Sequence, residues 1–200
     1  MRVLALSGSP RQGGNTETLL AQAIAGARQA GAKVEPVRLA ELCIAPCQEC
    51  NTCHQTGECH LADDMQALYP KLRGYERLML ASPVFFGGLS AQAKAMVDRC
   101  QACWVEKYRL PGYLVPRPQD RQGIFISTCG YDRLSMFDGA LATVRALFCA
   151  LDVALVEALL YPGMDSPQAA AQRPAALAQA YQAGWRLGGG GASSPQGEAA

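Results

Sequence analysis

The chain has 200 residues, of which 50% are apolar, enough for one domain with a sizeable core. A net charge of +1 with no long basic run argues against nucleic acid or an anionic membrane surface as the main partner. No apolar run approaches a bilayer span, and residues 1–6 lead into Ser7-Gly8-Ser9 without a signal-peptide pattern, so a cytoplasmic location is expected.

Residues 2–6 read as a short buried strand that ends in a Gly/Ser/Pro turn. Residues 15–30 read as a helix, with Leu19, Leu20, Ala23, Ile24 and Ala27 on one face and Gly31 beyond its end. A second strand over 32–39 is weakened by Pro36, and a cysteine-rich loop covers 43–62. Asp63 is placed to cap a helix running to residue 72. A third strand over 77–82 is closed by Pro83, and one helix is expected over 90–108. Residues 110–122 form a loop, 123–129 a fourth strand, 133–150 a helix, 153–160 a fifth strand and 167–186 an Ala-rich helix. This alternation predicts an α/β domain over 1–187, a flavodoxin-like doubly wound sheet of five parallel strands with the cysteine-rich loop inserted after strand two. Residues 188–200 are too poor in apolar side chains to fold and are expected to be a disordered tail.

The turn after strand one, Ser7-Gly8-Ser9-Pro10-Arg11-Gln12-Gly13-Gly14-Asn15-Thr16, opens a helix whose first N–H groups are free. Glycines let the backbone close around an anion, and Ser9, Asn15 and Thr16 add donors. Gly8 and Gly13 stand at P-loop spacing, but Asn15 replaces the lysine, and G-x-G-x-x-G is absent. A single terminal phosphate fits this loop, as in a mononucleotide such as FMN.

Leu6-Ser7-Gly8-Ser9-Pro10-Arg11 followed by Gly14-Asn15-Thr16 resembles the phosphate loop of the NAD(P)H-dependent FMN reductase group of flavodoxin-like proteins. Ala81-Ser82-Pro83-Val84-Phe85-Phe86-Gly87-Gly88 and Ser127-Thr128-Cys129-Gly130 resemble that group at two further strand ends. The resemblance implies phosphate contacts from Ser9, Arg11, Gly14, Asn15 and Thr16. It also implies flavin-ring contacts from Pro83, Val84, Phe85, Phe86 and Gly87, with Thr128 and Gly130 on the other side. One of Phe85 and Phe86 is expected in the core, because successive residues of a strand face opposite ways.

Nine cysteines are many for a reducing compartment, and four of them stand at C-x2-C-x2-C-x5-C in Cys47, Cys50, Cys53 and Cys59. Zinc sites usually separate their C-x2-C pairs more widely, whereas three cysteines at x2 intervals are the run used for cubane iron–sulfur ligation. Zinc with His54 or His60, or a plain reduced thiol loop, stays open on spacing alone. The motif, with Asp63-Asp64-Met65 after it, resembles that of the iron–sulfur flavoproteins, a branch of the same group. That resemblance implies one [4Fe–4S] cluster on those four cysteines. Cys100 and Cys103 share a helix face and are expected in the core, and Cys43, Cys129 and Cys149 are expected to behave as small apolar residues.

The expected function is an FMN-dependent oxidoreductase that passes electrons between FMN, the cluster and a redox partner, either NAD(P)H or a ferredoxin-like carrier. The alternatives are a cluster-free NAD(P)H-dependent FMN or quinone reductase and a non-enzymatic redox sensor. No protein acid–base pair stands at a convincing spacing. In the resembling group the region of Trp104 to Tyr108 lies near a neighbouring subunit's flavin or a dimer contact. A helix end packed on its own domain is the alternative for that region. The cysteine loop is expected to lie too far from the flavin of its own subunit, so transfer between subunits, and hence a homodimer or homotetramer, is expected.

Overall fold

The computed structural model describes residues 1–111 and 116–190. Five strands form a parallel sheet: β1 (Arg2–Ser7), β2 (Lys33–Arg38), β3 (Arg77–Phe85), β5 (Gln122–Thr128) and β6 (Ala154–Tyr161). Their spatial order is β2-β1-β3-β5-β6, the doubly wound order in which the chain reverses direction beside β1. A short strand β4 (Gly88–Leu89) adds an antiparallel pairing to the end of β3.

Successive residues of β1 split between the two faces, as the strand's twofold period requires. Val3 and Ala5 join a core under α1 (Asn15–Gln29) and α7 (Pro174–Leu187), whereas Leu4 and Leu6 join the opposite core. That second layer is built by α3 (Met65–Gly74), α4 (Ala91–Arg99), α5 (Gln101–Tyr108) and α6 (Asp138–Ala150). Each fully buried Leu or Phe in these layers contributes roughly 1.5–3 kcal/mol. α1 and α7 cross at two glycines: a Cβ on Gly184 would stand 1.8 Å from the Ala23 carbonyl oxygen, and one on Gly26 2.0 Å from that of Tyr181.

The expected second strand forms with Pro36 inside it, tolerated because β2 is an edge strand paired only with β1. Other expectations change. β3 runs through Pro83 to Phe85; its pairing with β1 ends at Ala81, so no β1 ladder bond is asked of the proline. The helix expected over 90–108 is two helices that meet at Cys100, which closes α4 and opens α5. α7 starts at Pro174 rather than 167, and residues 188–190 form a turn on its end. Residues 191–200 of the expected tail, and 112–115 of the expected loop over 110–122, lie outside the described residues. Among the described residues no helix is long and apolar enough to cross a membrane.

Candidate functional site

The carboxyl ends of β1, β3 and β5 open into a cavity of about 240 Å³. Ser9, Arg11, Gly14, Asn15 and Thr16 line it from the first turn, Pro83, Val84 and Phe85 from β3, and Thr128 and Gly130 from β5. Met164 and Asp165, after β6, complete the wall. These two were missed in the sequence, where they sit in a loop with no motif of its own. Phe86 and Gly87 are not among the lining residues.

The first turn presents its backbone more than its side chains. Gly14 precedes α1 in extended geometry, and no side chain caps the helix. The first N–H groups of a helix have no intrahelical partner and carry the positive end of its dipole. The side chains expected to add donors are engaged elsewhere. Asn15 donates both Nδ2 hydrogens, to the carbonyls of Met164 (3.1 Å) and Ser166 (2.7 Å), and its Oδ1 accepts the Ala170 N–H at 3.0 Å. Thr16 and Thr128 share a hydrogen bond between hydroxyls at 2.7 Å. Ser9 Oγ closes a local turn with the N–H and carbonyl of Arg11. Asn15 is thus a tether between the first turn and the loop after β6. Ser90 does the same for α4: its hydroxyl donates to the Gly8 carbonyl and accepts the Ala93 N–H at 3.2 Å as a helix cap.

Neither Phe85 nor Phe86 enters the core. β3 and β4 are joined by the turn Phe86–Gly87, with φ of 50° and 76°, while Phe85 pairs with Gly88. Two successive positive φ values make a type I′ turn, which lifts Phe86 off the sheet. Phe86 is fully exposed and Phe85 half exposed, so aromatic surface stands at the cavity's mouth.

A second, larger cavity of about 450 Å³ lies at the other end of α4. Cys47, Cys50, Cys53 and Cys59 all line it, with His54, His60 and Arg99. The loop is not wholly irregular, since Cys53–Thr56 form one helical turn, α2. Glu49 and Asn51 hold φ values of 52° and 60°, left-handed geometry that costs a non-glycine residue roughly 1–3 kcal/mol and persists only where the surroundings enforce it. Cys50 Sγ and His60 Nδ1 are 3.3 Å apart. Hydrogen bonds from Thr52 hold the Cys50 thiol below its ordinary range. Burial pushes the Cys53 thiol up, and the charges of Cys59, Cys47 and Cys50 push it further. The four sulfurs therefore share one electrostatic environment. Among the described residues no three His, Cys, Asp or Glu side chains converge on a single-ion position.

The neck of this loop is pinned from the protein side. Asp63 Oδ2 accepts the Ala45 N–H at 2.9 Å and Asp64 Oδ2 the Cys43 N–H at 2.7 Å. Gln66 Nε2 donates to the Cys59 carbonyl at 2.7 Å. Asp63 was expected to cap the following helix; its Oδ1 does accept the Met65 N–H at 3.1 Å, but its second oxygen serves the neck. Cys100 and Cys103 are buried as expected, and so is Cys129, whereas Cys43 and Cys149 are exposed.

The strand order and the crevice at the strand ends define a flavodoxin-like, mononucleotide-binding architecture. The chain matches the family model described as NADPH-dependent FMN reductase over residues 1–135 and belongs to that family. It is 39% identical over 99 residues to an iron–sulfur flavoprotein of Methanocaldococcus jannaschii, covering 50% of this chain and 51% of the relative. It is 35% identical over 99 residues to an iron–sulfur flavoprotein of Methanosarcina thermophila, covering 50% and 52%. The chain thus spans about half the length of the curated relatives it matches. Among solved structures, NAD(P)H:quinone oxidoreductase from Methanothermobacter marburgensis superposes with a TM-score of 0.68 at 18% identity, over 94% of this chain and 96% of that one, a likeness of fold.

Proposed function

We propose that the chain is an FMN-dependent oxidoreductase of the iron–sulfur flavoprotein kind, with FMN in the strand-end crevice and a [4Fe–4S] cluster on Cys47, Cys50, Cys53 and Cys59. The observation that carries this reading is that all four thiols line one cavity at the far end of α4 from the crevice. Four sulfurs spread around a cavity suit a cluster that takes one thiolate per corner better than they suit a single ion. The strained residues between the cysteines and the names of the relatives support the same assignment. When bound, FMN would exchange electrons in pairs or singly, and the cluster would carry them one at a time to or from NAD(P)H or a ferredoxin-like partner.

The chain's own residues bind and space these groups. The uncapped N–H groups of α1, with Arg11 beside them, would hold the FMN phosphate, and Ser9, Asn15 and Thr16 keep that turn in shape. Pro83, Val84 and Phe85 would border the ring on one side and Thr128 and Gly130 on the other. Phe86 and Gly87 act at the mouth. α4 spans 9 residues, about 13 Å at the helical rise, and sets the spacing between the two cavities along its axis. The exposed Phe85, Phe86, Tyr131 and Leu134 suit a homodimer or homotetramer that covers this apolar surface. We place the protein in the cytoplasm, where free thiols stay reduced.

Anaerobic reconstitution followed by iron, acid-labile sulfide and flavin assays tests this reading. The expected result is one FMN and four irons per chain, with the iron lost in Cys47→Ala or Cys53→Ala and the flavin kept. FMN without iron under strict anaerobiosis would leave a cluster-free NAD(P)H-dependent reductase.

A further inference from the structure

We infer that Arg99 governs the reduction potential of the cysteine pocket: its buried guanidinium favours the more negative, reduced state of a cluster held there and locks the pocket's neck. This inference rests on the cluster reading above.

Arg99 is the last residue of α4 and is 1% exposed. A buried charge must be paired and hydrogen-bonded. Its Nη1 donates to Asp63 Oδ2 at 2.5 Å and to the Ala45 carbonyl at 3.0 Å. Its Nη2 donates to Asp63 Oδ1 at 3.1 Å and to the Leu61 carbonyl at 3.4 Å. Ala45 and Leu61 flank the four cysteines, so one side chain fastens both ends of the loop.

The remaining donor, Nε, is buried and has no hydrogen-bond partner among the described residues. Arg99 is also the one Lys or Arg among the described residues that line the cavity, whereas Asp63 does not line it. Both oxygens of Asp63 are turned to Arg99 and to the N–H groups of Ala45 and Met65. The pocket therefore meets the cationic side of the pair. Glu49 and Asp98 are the acids that line it, and Asp98 is paired with Lys94 at 2.8 Å.

Reduction adds one electron, and so one negative charge, to a site already carrying four thiolates. A fixed cation and an available N–H donor stabilise that state, and net charge and hydrogen bonds to sulfur are the levers by which proteins set cluster potentials. The other bonds of Arg99 fasten the neck of the loop at Ala45, Leu61 and Asp63.

The test is an anaerobic dithionite titration of the reconstituted protein, with the cluster followed by its paramagnetic signal and the flavin by absorbance. Asp63→Asn/Arg99→Gln removes both charges with near-isosteric amides and strands no buried carboxylate. Its cluster should become harder to reduce, with the reduced-to-oxidised ratio at fixed potential falling at least tenfold, about 59 mV for one electron. The flavin midpoint should stay in place, and Arg99→Lys should fall between the double variant and the wild type. An unchanged cluster midpoint in the double variant overturns the inference and leaves the cluster reading intact. If the double variant loads no iron, Arg99→Lys decides: a lowered midpoint supports the inference and an unchanged one overturns it. A wild type without iron overturns both.

Discussion

Glu17 shows how one side chain shapes the first turn from behind. Its carboxylate accepts the Ser7 hydroxyl at 3.0 Å, the Gly13 N–H at 2.8 Å and Arg38 Nε at 2.7 Å. Burial pushes its carboxyl up, but the Arg38 bond, then those from Gly13 and Ser7, pull it further down, and the net pKa lies below the usual range. A depressed folded pKa gives stability that is present above the unfolded value, about 4.3, and is lost as pH falls through the folded value. Bound FMN should therefore be retained through the ordinary carboxylate range and released only below it, with Glu17→Gln flattening the acid limb. Flavin fluorescence against pH checks this, and an identical profile in the variant would remove Glu17 from the account. At this scale the sequence was a good guide to position but carried no sign of the tertiary partners. Asn15 sits where a phosphate ligand was expected, yet its amide is used by partners about 150 residues away. No local pattern encodes such a contact.

Elements were legible where an apolar run or a helical stripe stood alone, as in β1, α1 and β5. They were misjudged where tertiary surroundings overrode a local rule. Pro83 looks like a strand end until the early stop of the β1 pairing is known. Cys100 lies within an unbroken apolar stripe, so the sequence carries no sign of the break between α4 and α5. Phe85 and Phe86 read as successive strand residues, one facing inward, because Phe86-Gly87 keeps only half of the Asn-Gly signal that type I′ hairpins favour and so hides the turn. That compromise can be measured. Phe86→Asn should relieve about 1 kcal/mol of left-handed strain and raise the midpoint of thermal unfolding by about 2–4 °C. A lower midpoint would mean that the ring makes contacts worth more than the strain.

At the scale of the molecule, the layer carrying the cysteine pocket is held by a buried charge network. Glu106 accepts Arg73 Nε at 2.8 Å and Arg117 Nη2 at 3.1 Å, and Arg117 also reaches Asp152 at 2.7 Å. The network ties α3, α5 and the segment after α6 into one block, and Arg73 Nη2 extends it to the Gly57 carbonyl in the cysteine loop at 3.3 Å. Glu106→Ala removes the carboxylate that Arg73 and Arg117 share and leaves buried Arg73 without its ion-pair partner; it should cost about 3–5 kcal/mol, read as a lower denaturation midpoint. Glu106→Gln, which keeps an acceptor, should lose less. None of these pairings follows from sequence spacing, because their partners are 11–35 residues apart and on different elements. What spacing did give is the four thiols, and the fold sets them at the opposite end of one helix from the crevice.

The tether made by Asn15 bears on how the protein is supplied with its flavin. A turn fastened by three bonds to the loop after β6 does not wait for a guest to take shape. Little chain ordering is then charged against uptake, so the crevice can be stripped and refilled with FMN or an altered flavin without passing through unfolding. The cysteine loop differs: Cys47 and Cys50 are exposed, and Glu49 and Asn51 between the cysteines hold left-handed backbone geometry.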